Sequence, residues 1–159
     1  MEKMKNGGLS YTSLHNHTDY SNLRLIDSIN SVAALIDRAY ELGLKGVAIT
    51  DHETVSGHIK ALNHYADYQE AFEFVKTHDH RAIDDEELAK LTKLKRKFLD
   101  KINRDDFKLI LGNEIYLTRS DLTAETHEKG EKFYHFILLA KDEIGHRQLR
   151  ELSTRAWER

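Results

Sequence analysis

The sequence predicts an α/β protein built on a parallel sheet, and three observations carry that expectation. An extended apolar run over residues 9–15 is followed by apolar residues at helical spacing: Val32, Leu35, Ile36, Ala39 and Leu42. A compact apolar segment, Gly46-Val47-Ala48-Ile49-Thr50, comes next and reads as a strand that ends at the Asp51-His52 pair. Strand, helix and strand in that order make a βαβ unit, whose strands lie parallel through a right-handed crossover. Two further extended runs, residues 108–118 and 132–141, add strands to the same sheet.

Each element has its own local signal. The first helix takes Asn30 or Ser31 as its cap and stops at Gly43, where a left-handed residue ends a helix at no steric cost. A second helix is expected from about Thr54 through Ile59, Leu62 and Tyr65, while residues 68–80 show no clean period. Asp84 then caps a charged helix, with Glu87 at the capping-box position. Its apolar stripe is Leu88, Leu91, Leu94 or the stem of Lys95, Phe98 and Ile102. The charge run from Lys93 to Lys97 is expected to be the solvated face of that helix, with a phosphate-backbone contact as the alternative.

Residues 120–131 are polar, contain Gly130 and lack a helical period, so the flanking strands read as a hairpin with a long loop. A turn centred between Ala124 and Glu125 places Glu114 opposite His135 on one face. A one-residue slip would separate them. The chain closes in a helix over residues 142–157, capped by Asp142, with Leu149, Leu152 and Ala156 or Trp157 facing inward. Residues 1–8 read as a flexible N-terminus, and residues 9–159 as one domain with a helical insert at about 68–104.

Composition narrows the chemistry. A net charge of −3 provides no overall footprint for a polyanion, so nucleic acid would have to be gripped locally. With no cysteine, disulfides and thiolate metal sites are excluded, and any metal falls to His, Asp and Glu. Residues 1–8 are polar, and no apolar stretch long enough for a signal peptide or a membrane span follows them; a cytoplasmic location is the default expectation.

The residues that carry chemistry gather at predicted strand ends. His15 and His17, at i and i+2 on an extended segment, project to one face and can converge on one ion. His52 follows the second strand, Glu114 sits inside the third, His135 lies in the fourth, and Asp27 lies in the loop after the first. The carboxyl ends of parallel strands form the functional face of such sheets. Glu114 inside the apolar run 109–117 would be costly to bury without a partner. Imidazoles and carboxylates without thiolates suit Zn, Mn or Fe, and a set this large suits two or three ions. Such clusters activate water at neutral pH and clamp phosphate oxygens, so phosphoester hydrolysis is the favoured reaction class.

The remaining candidates read more modestly. Asp51 either orients His52 or caps a loop, and Tyr20 and Ser21 either contact substrate or shape a turn. The second His-x-His, at His78 and His80, lies in a highly charged segment and is expected to be non-ligating. His58, His64, His127 and His146 are expected on helix faces or in loops.

Taken in order, these motifs resemble the PHP (polymerase and histidinol phosphatase) superfamily. The branch they look most like is the N-terminal PHP domain of bacterial DNA polymerase III alpha subunits. The segments that carry the resemblance are His15-Asn16-His17-Thr18-Asp19-Tyr20-Ser21-Asn22-Leu23, the strand ending Thr50-Asp51-His52, and Leu111-Gly112-Asn113-Glu114-Ile115. Phe136-Ile137-Leu138-Leu139-Ala140-Lys141 and Leu152-Ser153-Thr154-Arg155-Ala156-Trp157 extend it over nearly the whole chain.

The resemblance implies a distorted (β/α)7 barrel, of which about four strands are present here, with a trinuclear metal site at the strand ends. It implies that His15, His17 and Glu114 hold one ion, His52 and Asp27 a second, and Glu114 with His135 a third. It further implies phosphoester hydrolysis or 3′–5′ trimming of DNA, with a phosphoester or a DNA 3′ end as substrate and polymerase domains downstream. A non-catalytic scaffold that stabilises a polymerase, or a small-molecule phosphatase of the histidinol-phosphate type, are the alternatives.

Two departures qualify the match. Arg24-Leu25-Ile26 sets Asp27 further along than the branch's usual spacing. After His135 no histidine but His146 remains, with Asp142 and Glu143 close before it, and the family's Asp-x-His motif does not occur. The chain therefore reads as a partial PHP domain, a fragment of a longer polymerase or a truncated product, whose open barrel edge invites self-association.

Overall fold

The computed structural model describes residues 11–77, 86, 106–118 and 132–158. One sheet has the strand order β1-β2-β3-β4, with β1 at Thr12–Ser13, β2 at Gly46–Ile49, β3 at Lys108–Leu117 and β4 at Tyr134–Leu139. The first three strands are parallel and β4 runs antiparallel to β3. Three helices accompany them among the described residues: α1 at Val32–Glu41, α2 at His58–Thr77 and α3 at Glu143–Trp157. This is the partial α/β barrel that the sequence predicts. None of the described helices is long and apolar enough to cross a membrane.

Local chemistry explains the helix ends. Ser31 caps α1 through its side chain, which accepts from the Ala34 N–H, and Gly43 after the helix adopts φ 82°. Asp142 caps α3 in the same way, accepting from the Gly145 N–H at 2.8 Å. The core lies between the helices and one face of the sheet. Val32, Ile36, Ala39 and Tyr40 line the buried stripe of α1, and Ala61, Tyr68, Ala71 and Phe72 that of α2. β2 is buried along its whole length, as a central parallel strand must be. Phe107, just before β3, is fully buried and meets Tyr40 edge-on at 5.4 Å.

Four expectations need correction. The first strand is shorter than residues 9–15, since regular pairing covers only Thr12–Ser13; residues 9 and 10 lie outside the description. The second helix begins at His58, four residues after Thr54, because the Thr54 hydroxyl accepts from the Ser56 N–H and the Thr54 carbonyl accepts from the Asn113 side chain, which holds residues 54–57 in turns. It then continues unbroken to Thr77, through the described part of the stretch that lacked a clean period. In the hairpin, His135 pairs with Tyr116 and Glu114 pairs with Ile137. The register is shifted by two residues, which keeps Glu114 and His135 on one face but makes them diagonal neighbours. In α3, Leu149 and Ser153 face inward, whereas Leu152 and Trp157 are exposed and Ala156 is half-buried. A spacing of four residues, rather than three, tracks the contact of this helix with the sheet.

Of the charged helix expected at 84–102 only Glu86 is described, and it is helical; the run Lys93–Lys97, the loop at 120–131, and His78, His80 and His127 lie outside the described residues.

His58 departs furthest from its expected place on a helix face. It is 2% exposed, donates from Nε2 to the Gly112 carbonyl at 2.9 Å, and has Nδ1 3.2 Å from His146 Nε2. With Nδ1 as acceptor, the His58 ring is neutral. Burial pulls the His58 imidazole down to about 4. Its folded value thus lies below its unfolded one, so its stabilising contribution is complete above about pH 6.5 and is lost as pH falls toward 4. His58 should therefore make the fold about 3 kcal/mol less stable at pH 4 than at pH 7. Urea unfolding of wild type and His58→Gln across that range is the check. The stability gap between them should narrow as the solution is acidified, and a constant gap refutes the assignment.

Candidate metal centre

The parallel strands end at a common rim, and the register sets what meets there. His52 lies beside Glu114 in an isolated parallel bridge, three residues beyond the last β2 strand residue, Ile49. Asn16, between the two histidines of the first motif, holds that segment against β2. Its N–H donates to Thr50 Oγ1 at 2.9 Å, its carbonyl accepts from the Thr50 N–H, and its side chain donates to the Ala48 carbonyl. His15 and His17 are thereby left pointing to one side, with their Nε2 atoms 3.1 Å apart. Because β4 is antiparallel, its first residues reach this rim, and His135 arrives there from the opposite chain direction.

Glu114 is the centre of the cluster and is 1% exposed. Its Oε2 lies 3.0 Å from His15 Nε2, 2.6 Å from His17 Nε2 and 3.5 Å from His52 Nδ1, and its Oε1 bonds His135 Nδ1. Asp27 Oδ2 lies 2.6 Å from His17 Nδ1 and 3.2 Å from His52 Nε2. The structure thus brings together all six side chains singled out from the sequence. Three overlapping groups have ligand atoms in mutual reach: His15, His17 and Glu114; His17, Asp27 and His52; His52, Glu114 and His135.

Hydrogen bonding alone satisfies this arrangement poorly. Three imidazole nitrogens face one carboxylate oxygen, and His17 would need both ring protons to serve its two carboxylates. His52 Nδ1 is buried without a hydrogen-bond partner among the described residues. Donor atoms so placed fit divalent cations. Burial, joined by the neighbouring imidazoles of His17 and His135, holds His52 below the ordinary imidazole value against the pull of Glu114 and Asp27. Burial alone would raise Glu114, but hydrogen bonds from His135, His15 and His17, with the field of His52, keep it below the usual carboxylate range. A neutral imidazole and an ionised carboxylate are the forms that bind metal. The mouth is open: His15 and His135 each leave 53% of their side chains exposed. A shallow hollow of about 270 Å³ beside it is lined by His15, Asn16, His17, Asp27, Ser28 and Asn30.

With this geometry in place, comparison with known proteins identifies the fold family: residues 13–159 match the PHP domain model. The chain belongs to the PHP domain family. It is 38% identical over 146 residues to the probable DNA polymerase YorL of Bacillus subtilis, covering 91% of this chain and 9% of that protein. The same figures hold for the DNA-directed DNA polymerase of Bacillus phage SPbeta. The DNA polymerase III subunit alpha of Treponema pallidum is 28% identical over 150 residues, covering 94% of this chain and 9% of that protein. The chain thus spans about a tenth of the length of the curated relatives it matches.

Supporting residues were harder to foresee. Asp51 does not touch the His52 ring; it is the hub of the loop before α1. Its carboxylate accepts from the Thr18 N–H at 2.6 Å, the Thr18 hydroxyl at 2.8 Å and the Ser21 hydroxyl at 3.0 Å. Ser21 and Tyr20 belong to a single 3-10 turn over Asp19–Leu23, so the turn reading applies to both. Asn113 donates to the carbonyls of Asp51 and Thr54, tying β3 to the loop after β2. Tyr116 stacks on His52 with ring centroids 5.8 Å apart, a place that the two-residue strand period after Glu114 would have indicated. His64 bonds Asp37 on α1, away from the centre.

Asp51→Ala leaves the buried Thr18 N–H without its acceptor and should cost about 3 kcal/mol in urea unfolding. Asp51→Asn, which keeps one acceptor oxygen, should cost less than half as much. Equal losses in the two variants would show that the hydrogen bonds contribute little.

Proposed function

We propose that this chain is the metal-dependent phosphoesterase module of a DNA polymerase, acting on phosphate esters at a DNA 3′ end. The observation that carries this reading is the set of three overlapping ligand groups sharing Glu114, His17 and His52. In it, His15, His17 and Glu114 would hold one ion, Asp27 and His52 a second, and Glu114 with His135 a third, drawn from Zn, Mn or Fe. When bound, such ions supply an activated water at neutral pH and neutralise charge on the phosphate oxygens. Glu114 would be the ligand able to serve two ions, because a carboxylate offers two oxygens where an imidazole offers one nitrogen at a time. His15 and His135 border the solvent side, where an ester must arrive. Asn16, Ser28 and Asn30 line the adjoining hollow, where the Asn16 amide and the Ser28 hydroxyl are committed to the backbone and hold the first motif in place. The polymerase relatives support a DNA end as substrate, and their greater length supports a module within a longer assembly.

A scaffold role for the same domain has one observation in its favour. The His146 side chain turns to His58 and away from the centre, so among the described residues nothing after His135 adds a ligand.

Two measurements on the full chain separate these readings. Metal content after dialysis against Mn, Zn or Fe should reach at least one ion per chain, and should fall in Glu114→Gln. Release of a 3′-labelled nucleotide, or of phosphate from a monoester, should stop with a chelator, return with Mn, and drop about a hundredfold or more in His15→Ala. Metal bound without any activity sensitive to His15→Ala would establish the scaffold reading. Activity unchanged in that variant would sink the assignment of the centre.

A further inference from the structure

The loop that delivers Asp27 has almost nothing apolar to hold it. Leu25, Ile26 and Ile29 are 48%, 90% and 99% exposed. Asn22 fixes its internal shape, accepting from the Asp27 and Ser28 N–H groups and donating to the Ser28 carbonyl at 2.7 Å. The loop is tied to the rim at two points, Ser21 Oγ accepting from the His52 N–H at 3.1 Å and Ser28 Oγ donating to the His17 carbonyl at 3.0 Å, and residues 24–26 lie between these ties.

One ring of contacts spans the gap. Arg24, three residues before Asp27, donates from Nε to Glu53 Oε2 at 2.6 Å. Glu53 immediately follows His52, and its N–H donates to the Glu114 carbonyl at 2.7 Å. The left-handed φ of Glu53 turns its carbonyl to α3, where Ser153 Oγ and Trp157 Nε1 donate to it at 3.2 and 2.8 Å. The indole of Trp157 then lies 4.7 Å from the Arg24 guanidinium carbon, closing the circuit.

We propose that the last turn of α3 is a latch on the metal centre, in which Arg24, Glu53 and Trp157 are positioning residues that hold Asp27 against His52. The inference rests on the metal reading above for its consequence, the closure of the position between Asp27 and His52. The physical argument is one of rigidity. A ligand pair drawn from two loops keeps its spacing only if both loops are tied to a common support. Helix α3 is that support, and the cation stacked on its indole is the tie.

The test uses the intact chain and two readouts. In the metal-free protein, hydrogen exchange of residues 22–30 should speed up about fivefold or more in Arg24→Met and Trp157→Ala, with the thermal midpoint unchanged. In Mn titrations the same variants should lose about tenfold in affinity at one position while the remaining affinity persists. Arg24→Lys, which can still pair with Glu53 and sit on the indole, should restore most of both. Arg155→Gln, on the same turn but paired with Glu151, is the control that should change neither. Unchanged exchange in Arg24→Met and Trp157→Ala overturns the latch. So does a uniform loss at every position together with a lowered midpoint, which marks a general structural role. If wild type binds no Mn but exchange still responds, the metal reading fails and the latch stands as the anchor of the loop.

Discussion

One buried carboxylate constrains the rest of this structure. Glu114 sits in the interior of β3, and an ionised group there is tolerable only with compensating partners. Four imidazoles supply them: His15 and His17 from beyond β1, His52 from beyond β2, and His135 from the start of β4. Each must reach the same rim, and this selects the topology. Three strands deliver their carboxyl ends and the fourth must enter from the opposite direction. An additional parallel strand at the β4 position would bring its last residues, and not its first, to the cluster.

The histidines are held in turn by a layer of polar groups buried as deeply as the core. Thr18, Ser21, Thr50, Asp51 and Asn113 are all at most 1% exposed. Asp51 binds the turn that follows His17, Asn113 binds the segment around His52, and Asn16 stitches the first motif to β2. In a low-dielectric interior these bonds are strong and directional, so the layer fixes orientation in a way that apolar packing would not. The apolar core lies to one side, between α1, α2 and β2, and gives the layer a rigid floor. His58 joins the two regions, bonding from the start of α2 to the backbone two residues before Glu114.

Much of this was legible in the chain itself where the signal is local. The Ser31 cap, the Gly43 stop, the Asp142 cap and the apolar β2 run each depend on neighbours within a few residues, and each forms as expected. The six candidate ligands were legible because histidines and carboxylates at the ends of apolar strands are costly unless they share a task. Register was not legible in the same way. The facing residue for His135 depends on how a long polar loop distributes its length, and the pairing falls two residues from the symmetric expectation. The late start of α2 was hidden as well, since it depends on Asn113, almost sixty residues away, bonding the Thr54 carbonyl.

By itself, the sequence determined the order of elements, the α/β class and the identity of the residues that meet at the rim. Caps, periodicities and the cost of burying charge are properties of short stretches and of residue types. Tertiary structure alone decided which residues support them. Asp51 became a hub for Thr18 and Ser21 and not a partner of His52, because the loop before α1 folds back over it. His58 became a buried neutral imidazole because α3 brings His146 across its ring. Trp157 came to rest on Arg24 only through the turn at Glu53. These contacts join residues more than thirty positions apart, and no local preference specifies a distance of that kind.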